Sequence, residues 1–109
     1  METIENNDVR EEYYFKGRVH ARGNYLNGKR DGAWEEYHLN GNLQQKGYYI
    51  GGKKEGVWEY YDEDGALGVK GSYLNGEETG LWETYDNGKL IKEELFDDNG
   101  MMIDSRMVN

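Results

Sequence analysis

A phrase that returns every 24 residues constrains this chain more than any other feature. Gly23, Gly47 and Gly71 stand at that interval, as do Tyr25, Tyr49 and Tyr73. So do Gly28, Gly52 and Gly76; Gly32, Gly56 and Gly80; Trp34, Trp58 and Trp82; and Tyr37, Tyr61 and Tyr85. A period of this length marks a stack of small supersecondary units, each burying its apolar face only against its neighbours. The third copy is one residue short at its second turn, so Leu90 stands 23 after Leu67, where Leu67 stands 24 after Leu43.

The unit reads as two short strands and two turns. Asn27-Gly28 and Asn75-Gly76 are hairpin signals, because a primed two-residue turn needs the positive φ that Asn and Gly tolerate. Asp64-Gly65 and Asn87-Gly88 carry the same signal at the alternate corner. The segments between turns are rich in Tyr, Trp, Val and Leu, which suits strands. Glycine interrupts every segment long enough for a helix. The expected fold is all-β: an elongated, twisted, single-layer antiparallel meander of stacked hairpins with about eight or nine strands.

Residues 1–11 are polar and aperiodic and read as a flexible tail. A single repeat domain then covers 12–109: a partial unit over 12–22, repeats over 23–46, 47–70 and 71–93, and a C-terminal cap over 94–109. In that cap Phe96 takes the place of the first tyrosine, and Asp97-Asp98-Asn99-Gly100 resembles the second type of turn.

Pleating assigns the faces. By uninterrupted alternation Leu43, Gly47 and Tyr49 share one face. Gly47 and Gly71 bare the backbone there, and a tryptophan from the neighbouring strand is expected to lie over it, the aromatic rescue of a strand glycine. Trp58 and Tyr61 differ in parity, which predicts aromatic rows on both faces.

Composition limits the function. The formal net charge is −9, from 13 basic and 22 acidic residues. That balance disfavours nucleic acid, whose phosphates demand Lys and Arg, and equally an anionic membrane surface. It suits a basic protein partner, drawn in by electrostatic steering. The chain has no cysteine, which removes disulfides and thiolate chemistry. The N-terminus has neither the basic region nor the apolar run of a signal peptide, so the expected location is cytoplasmic.

No catalytic constellation stands out. His20 and His38 have no Ser, Cys or paired His beside them and read as ordinary strand or turn residues. Asp62-Glu63-Asp64-Gly65 and Asp97-Asp98-Asn99-Gly100 lack the twelve-residue ligand spacing of a calcium loop and read as turns. Glu35, Glu59 and Glu83 follow each Trp. Such carboxylates, two strands apart, lie about 9–10 Å from one another. That is the long end of the spacing for an inverting glycosidase, and an open sheet supplies no cleft. They read instead as an acidic row facing solvent or a partner. Lys29, Arg30, Lys53 and Lys54 cluster at the first type of turn, but Glu77 and Glu78 replace them in the third copy, so no basic stripe runs along the stack. No cofactor and no metal are expected.

The phrase Gly-x-Tyr-x-Asn-Gly-Lys-x-x-Gly-x-Trp-x-x-Tyr-x-x-x-Gly resembles the MORN repeat in its bacterial variant form, from Gly23 to about Leu90. The resemblance implies a twisted single-layer sheet of hairpins that acts as an interaction or dimerisation scaffold. It also implies, for some bacterial variants, an antitoxin role, and for eukaryotic members phospholipid binding, which the acidic charge of this chain disfavours.

The expected function is therefore a non-enzymatic protein-interaction module, an antitoxin or immunity-type inhibitor of a basic toxin or effector. The alternatives are a self-associating scaffold, or a carbohydrate-binding module using exposed Tyr and Trp. The candidate partner-binding residues are Tyr14, Tyr48 and Tyr60, which stand off the repeat register, and the acidic Glu35, Glu59, Glu83, Asp62 and Asp64. Tyrosine is enriched at protein interfaces, and Tyr48 and Tyr60 share no residue type with their counterparts one repeat away.

Overall fold

A computed structural model describes residues 7–108. Nine strands follow in chain order: β1 (Asn7–Tyr13), β2 (Val19–Leu26), β3 (Lys29–Tyr37), β4 (Leu43–Ile50), β5 (Lys53–Tyr61), β6 (Leu67–Leu74), β7 (Glu77–Asp86), β8 (Lys89–Phe96) and β9 (Met102–Met107). Each pairs antiparallel with the next, giving one open sheet in the order β1 to β9. The molecule measures 56 × 39 × 15 Å, a single layer. The expected all-β meander is the observed fold. The tail expected over residues 1–11 is revised at Asn7 to Glu11, which lie in β1 and pair with β2; residues 1–6 fall outside the described residues.

The turns explain the period. Asn27-Gly28, Gly51-Gly52, Asn75-Gly76 and Asn87-Gly88 have positive φ at both positions, the primed geometry that matches the twist of the flanking strands. The alternate corners are longer. His38 N donates to Asn42 O and Asp62 N donates to Ala66 O, each closing a five-residue connection. Asp64-Gly65 is thus not a two-residue hairpin turn: only Gly65 takes positive φ there. Asn87-Gly88 is one. At that corner the strands gain a pair, Asp86 with Lys89, which is why the copy is one residue short and not three. The final turn closes Asp97 N on Met101 O in the five-residue pattern, as its sequence suggested.

Bulges set the faces. Tyr25 and Gly23 of β2 oppose Arg30 and Trp34 of β3, so two extra residues of β3 fall in between; β5 and β7 repeat this shift. A second irregularity seats Leu43 opposite Tyr37 and Leu67 opposite Tyr61. It breaks the alternation that would have kept Leu43 on the face of Gly47 and Tyr49.

One face carries the core. Trp34 and Trp58 are fully buried and Trp82 nearly so, with Ala21 and Tyr49. Their indoles lie across Gly23, Gly47 and Gly71 of the preceding strand: a Cβ on any of these glycines would overlap indole ring atoms. The rescue of strand glycines by a neighbouring tryptophan is realised three times. Tyr25, Trp34, Tyr49, Trp58, Tyr73, Trp82 and Phe96 form one row of edge-to-face rings, with centroids 5.0–6.2 Å apart. That is the arrangement aromatic quadrupoles favour. A sheet with few aliphatic residues is thereby given a dry layer.

Candidate functional site

The aromatic face is closed over by cations. In the first copy the Arg30 guanidinium stands 4.1 Å from the Trp34 centroid and 5.6 Å from that of Tyr49. It donates to the Tyr49 hydroxyl at 3.3 Å and lies within 3.8 and 3.9 Å of Glu12 and Glu36. One period later Lys54 takes the place of Arg30. Its Nζ is 4.5, 5.3 and 5.1 Å from the Trp58, Tyr60 and Tyr73 rings and donates to the Tyr60 hydroxyl at 3.0 Å. Burial holds this ammonium below its ordinary pKa. One period later again the position is Glu78.

The opposite face carries a ladder of charges, one residue per strand. Glu11, Arg22, Glu35, Lys46, Glu59, Lys70 and Glu83 oppose one another in succession from β1 to β7. The signs alternate, as cross-strand neighbours prefer. Lys46 Nζ lies 3.7 Å from Glu59. At β7 and β8 the alternation fails, for Glu83 opposes Glu93, and Arg106 of β9 then donates to Glu93 at 2.6 Å. Beside the ladder runs a row of exposed apolar side chains, Tyr48, Val57, Leu81 and Leu95. Ala33, Tyr48 and Val57 with Glu35, Lys46 and Glu59 line a shallow groove of about 370 Å³.

These placements sort the sequence candidates. Glu35, Glu59 and Glu83 do share one face and one row, but a base from the adjoining strand opposes each, so they are not the bare acidic stripe expected. Sequence spacing showed their period and not the lysines between them. Tyr48 is 49% exposed on this same face, at the groove. Tyr60 is on the other face and is not an exposed contact. It packs between Trp58 and Trp82 (centroids 6.3 and 6.4 Å), and its hydroxyl pairs with that of Tyr73 at 2.7 Å. Burial raises its pKa strongly.

Tyr14 also has a structural task. It stands 24 residues before His38, and its hydroxyl donates to Tyr37 O at 2.8 Å, just as His38 Nε2 meets Tyr61 O at 2.8 Å. Both brace one corner on the next, and Tyr14 further packs on His20 at 4.6 Å. Asp62 and Asp64 are exposed at the corner of β5 and β6, where Asp62 supplies the turn's backbone hydrogen bonds. Asp97 is a turn-former, its carboxylate accepting from Asn99 N and Met101 N. The candidates therefore divide among two faces and a corner and do not form one site.

The change of sign along positions 30, 54 and 78, legible in the sequence, falls on the aromatic face; what sequence reading passed over is a matching asymmetry of charge. Residues 1–61 hold ten acidic and nine basic side chains; residues 62–109 hold twelve and four. A count by halves was the signal that would have exposed it.

Comparison with known families agrees with this architecture. Residues 30–50 and 54–75 each match the MORN repeat variant. The matched units are the hairpins β3–β4 and β5–β6, each a Trp-bearing strand, a five-residue corner and the following strand. No curated protein and no solved structure matches the chain. MORN repeats make β-repeat modules of protein-interaction or membrane-binding type, generally without enzymatic activity. With two tandem matches, and the same Gly, Trp and Tyr geometry in a third copy, this chain carries repeats of the MORN variant type.

Proposed function

We propose that this chain is a non-enzymatic, cytoplasmic protein-interaction module that inhibits a basic partner protein, in the manner of an antitoxin or immunity protein. The observation that carries the reading is the charge asymmetry: the twelve acidic against four basic side chains of residues 62–109 lie on an open sheet only 15 Å thick. Such a surface steers a cationic protein toward the third repeat and repels nucleic acid and anionic membranes. Asp62, Glu63 and Asp64 stand at its border as an exposed acidic corner.

The test is co-purification of the chain with its partner from the source cell, followed by association kinetics against ionic strength. The association rate is expected to fall by an order of magnitude or more between low and physiological salt. The double substitution Asp62→Lys with Asp64→Lys is expected to slow it further. Recovery of the chain alone, or an association rate indifferent to salt, overturns the reading.

Self-association is a second reading with its own observation. Met102, Ile103 and Met107 of β9 are exposed on a strand paired on one side only among the described residues. Light scattering across a concentration series separates the two: a concentration-dependent dimer favours the second, and a monomer throughout excludes it.

A further inference from the structure

The third repeat departs from the first two at the point where its aromatic layer meets solvent. In copies one and two the chain closes its own tryptophan with a cation, Arg30 over Trp34 and Lys54 over Trp58. These contacts are internal examples of the chemistry that the aromatic face accepts. Trp34 and Trp58 are 1% and 0% exposed; Trp82 is 8% exposed. Among the described residues no Lys or Arg of the chain lies over Trp82.

The side chains around Trp82 differ in the same sense. Glu78 stands where Lys54 and Arg30 stood, paired across the ladder with Tyr73. Thr84 stands where Tyr60 stood, a much smaller wall. Phe96 packs edge-on to Trp82 at 6.2 Å, as Tyr73 packs on Trp58. Tyr73 at 5.0 Å and Tyr60 at 6.4 Å complete the ring boundary. Glu94 lies directly opposite Trp82 on β8. Lys92, opposite Thr84, faces the same region and is held 3.6 Å from Glu94. The neighbourhood thus offers ring faces together with two carboxylates, one of which, Glu78, has no ion-pair partner among the described residues. An aromatic surface backed by carboxylate attracts an organic cation, both by the ring quadrupole and by charge.

We propose that Trp82, Phe96, Glu78 and Glu94 form a binding seat for a guanidinium or ammonium group, occupied in function by an arginine or lysine side chain of the partner protein. The partner's cation sits over Trp82 as Arg30 and Lys54 sit over Trp34 and Trp58, with Glu78 as its counter-charge. This assignment rests on the interaction-module reading for the source of the cation, while the seat itself is a property of this chain. The third repeat thereby becomes the docking end of the stack, and the first two become its self-closed support.

The test uses the full chain and blocked arginine (N-acetyl-arginine amide), with blocked norleucine as the uncharged control. The three indole N–H signals are followed by two-dimensional NMR. Saturable movement of the Trp82 signal with arginine alone is the expected result, with Trp34 and Trp58 unmoved. Glu78→Lys, which installs the cation that the first two copies carry, is expected to weaken this binding about tenfold or more, the scale of a desolvated cation–π contact with its counter-charge. It is also expected to leave the fold intact.

The seat is overturned by equal movement of all three signals, by no saturable movement, or by binding that Glu78→Lys leaves unchanged. A chain that binds blocked arginine at Trp82 but recovers no basic protein keeps the seat and sinks the inhibitor reading. A chain that captures a basic protein with the same affinity before and after Glu78→Lys keeps the reading and sinks the seat.

Discussion

The first two repeats and the third share one skeleton and finish it differently. Trp34 and Trp58 are sealed by their own Arg30 and Lys54, and the ladder behind them alternates in sign. Around Trp82 the cation is replaced by Glu78, Tyr60 of the second copy by Thr84, and the ladder's alternation by Glu83 facing Glu93. Each change costs some local stability: a cation–π contact is lost in one place and like charges meet in another. A repeat stack tolerates this because each unit leans on its neighbours. The contrast teaches that stability and specificity need not be spread evenly along a solenoid. Repeated positions hold the stack, and departures from the repeat concentrate where the surface is left able to bind.

The largest effect that probes this contrast is expected at the strand glycines. A methyl group at Gly47 must displace the Trp58 indole, which is fully enclosed. Gly47→Ala is expected to cost about 3 kcal/mol, the upper part of the range for overpacking, and to lower Tm by roughly 10–15 °C. Gly71→Ala meets Trp82 just as closely, but that indole is 8% exposed where Trp58 is 0%, and the smaller Thr84 stands at the position of Tyr60. Its loss in a urea melt should be clearly smaller. Equal losses for the two variants would erase the proposed difference between the copies.

A middle-sized effect is expected in alkali. Tyr60 has a folded-state pKa raised by burial above its ordinary 10.0. The stabilisation tied to its protonated form is therefore complete below pH 10 and is lost as pH climbs beyond it. Lys54 acts with the opposite sign: its pKa is lowered from 10.5, so stability grows as pH rises toward that value. Comparing urea midpoints of the wild type and Tyr60→Phe from pH 9 to 11 isolates the tyrosine. The variant is expected to lose less stability above pH 10, with Tyr73 retaining part of the slope. Parallel profiles would show that the bridge between Trp58 and Trp82 is not the buried hydroxyl pair described.

The smallest effect belongs to the charge ladder. Lys46→Gln removes the base between Glu35 and Glu59 and is expected to cost about 0.5 kcal/mol, a cost that shrinks in molar salt. A loss above about 1.5 kcal/mol, or one unaffected by salt, would mean that the ladder contributes more to the stack than exposed pairs ordinarily do.

Much of the architecture was legible before any coordinates. The 24-residue period, the Asn-Gly corners and the pairing of each Trp with a strand Gly are all local chemistry, and each is found in place. The candidate site was less legible. Tyr60 reads as an outsider because its counterparts are Glu36 and Thr84, yet its ring fills the space between two tryptophans. Tyr14 reads as unmatched until the turn geometry equates it with His38. Glu35, Glu59 and Glu83 look like an acidic stripe until register places Lys46 and Lys70 between them.

By itself the sequence determined the number of units, the strands and turns within each, and the glycines that the indoles require. Those depend on φ preferences, alternation and residue volume, which act within a few residues. Only the tertiary structure decided which side chains became neighbours across strands. That depends on register, and here register is set by bulges that shift β3, β5 and β7 against their predecessors. A slip of one residue moves every side chain to the opposite face. Whether Arg30, Lys54 and Glu78 cover tryptophan or meet water was therefore a matter of pairing geometry, which no local pattern records.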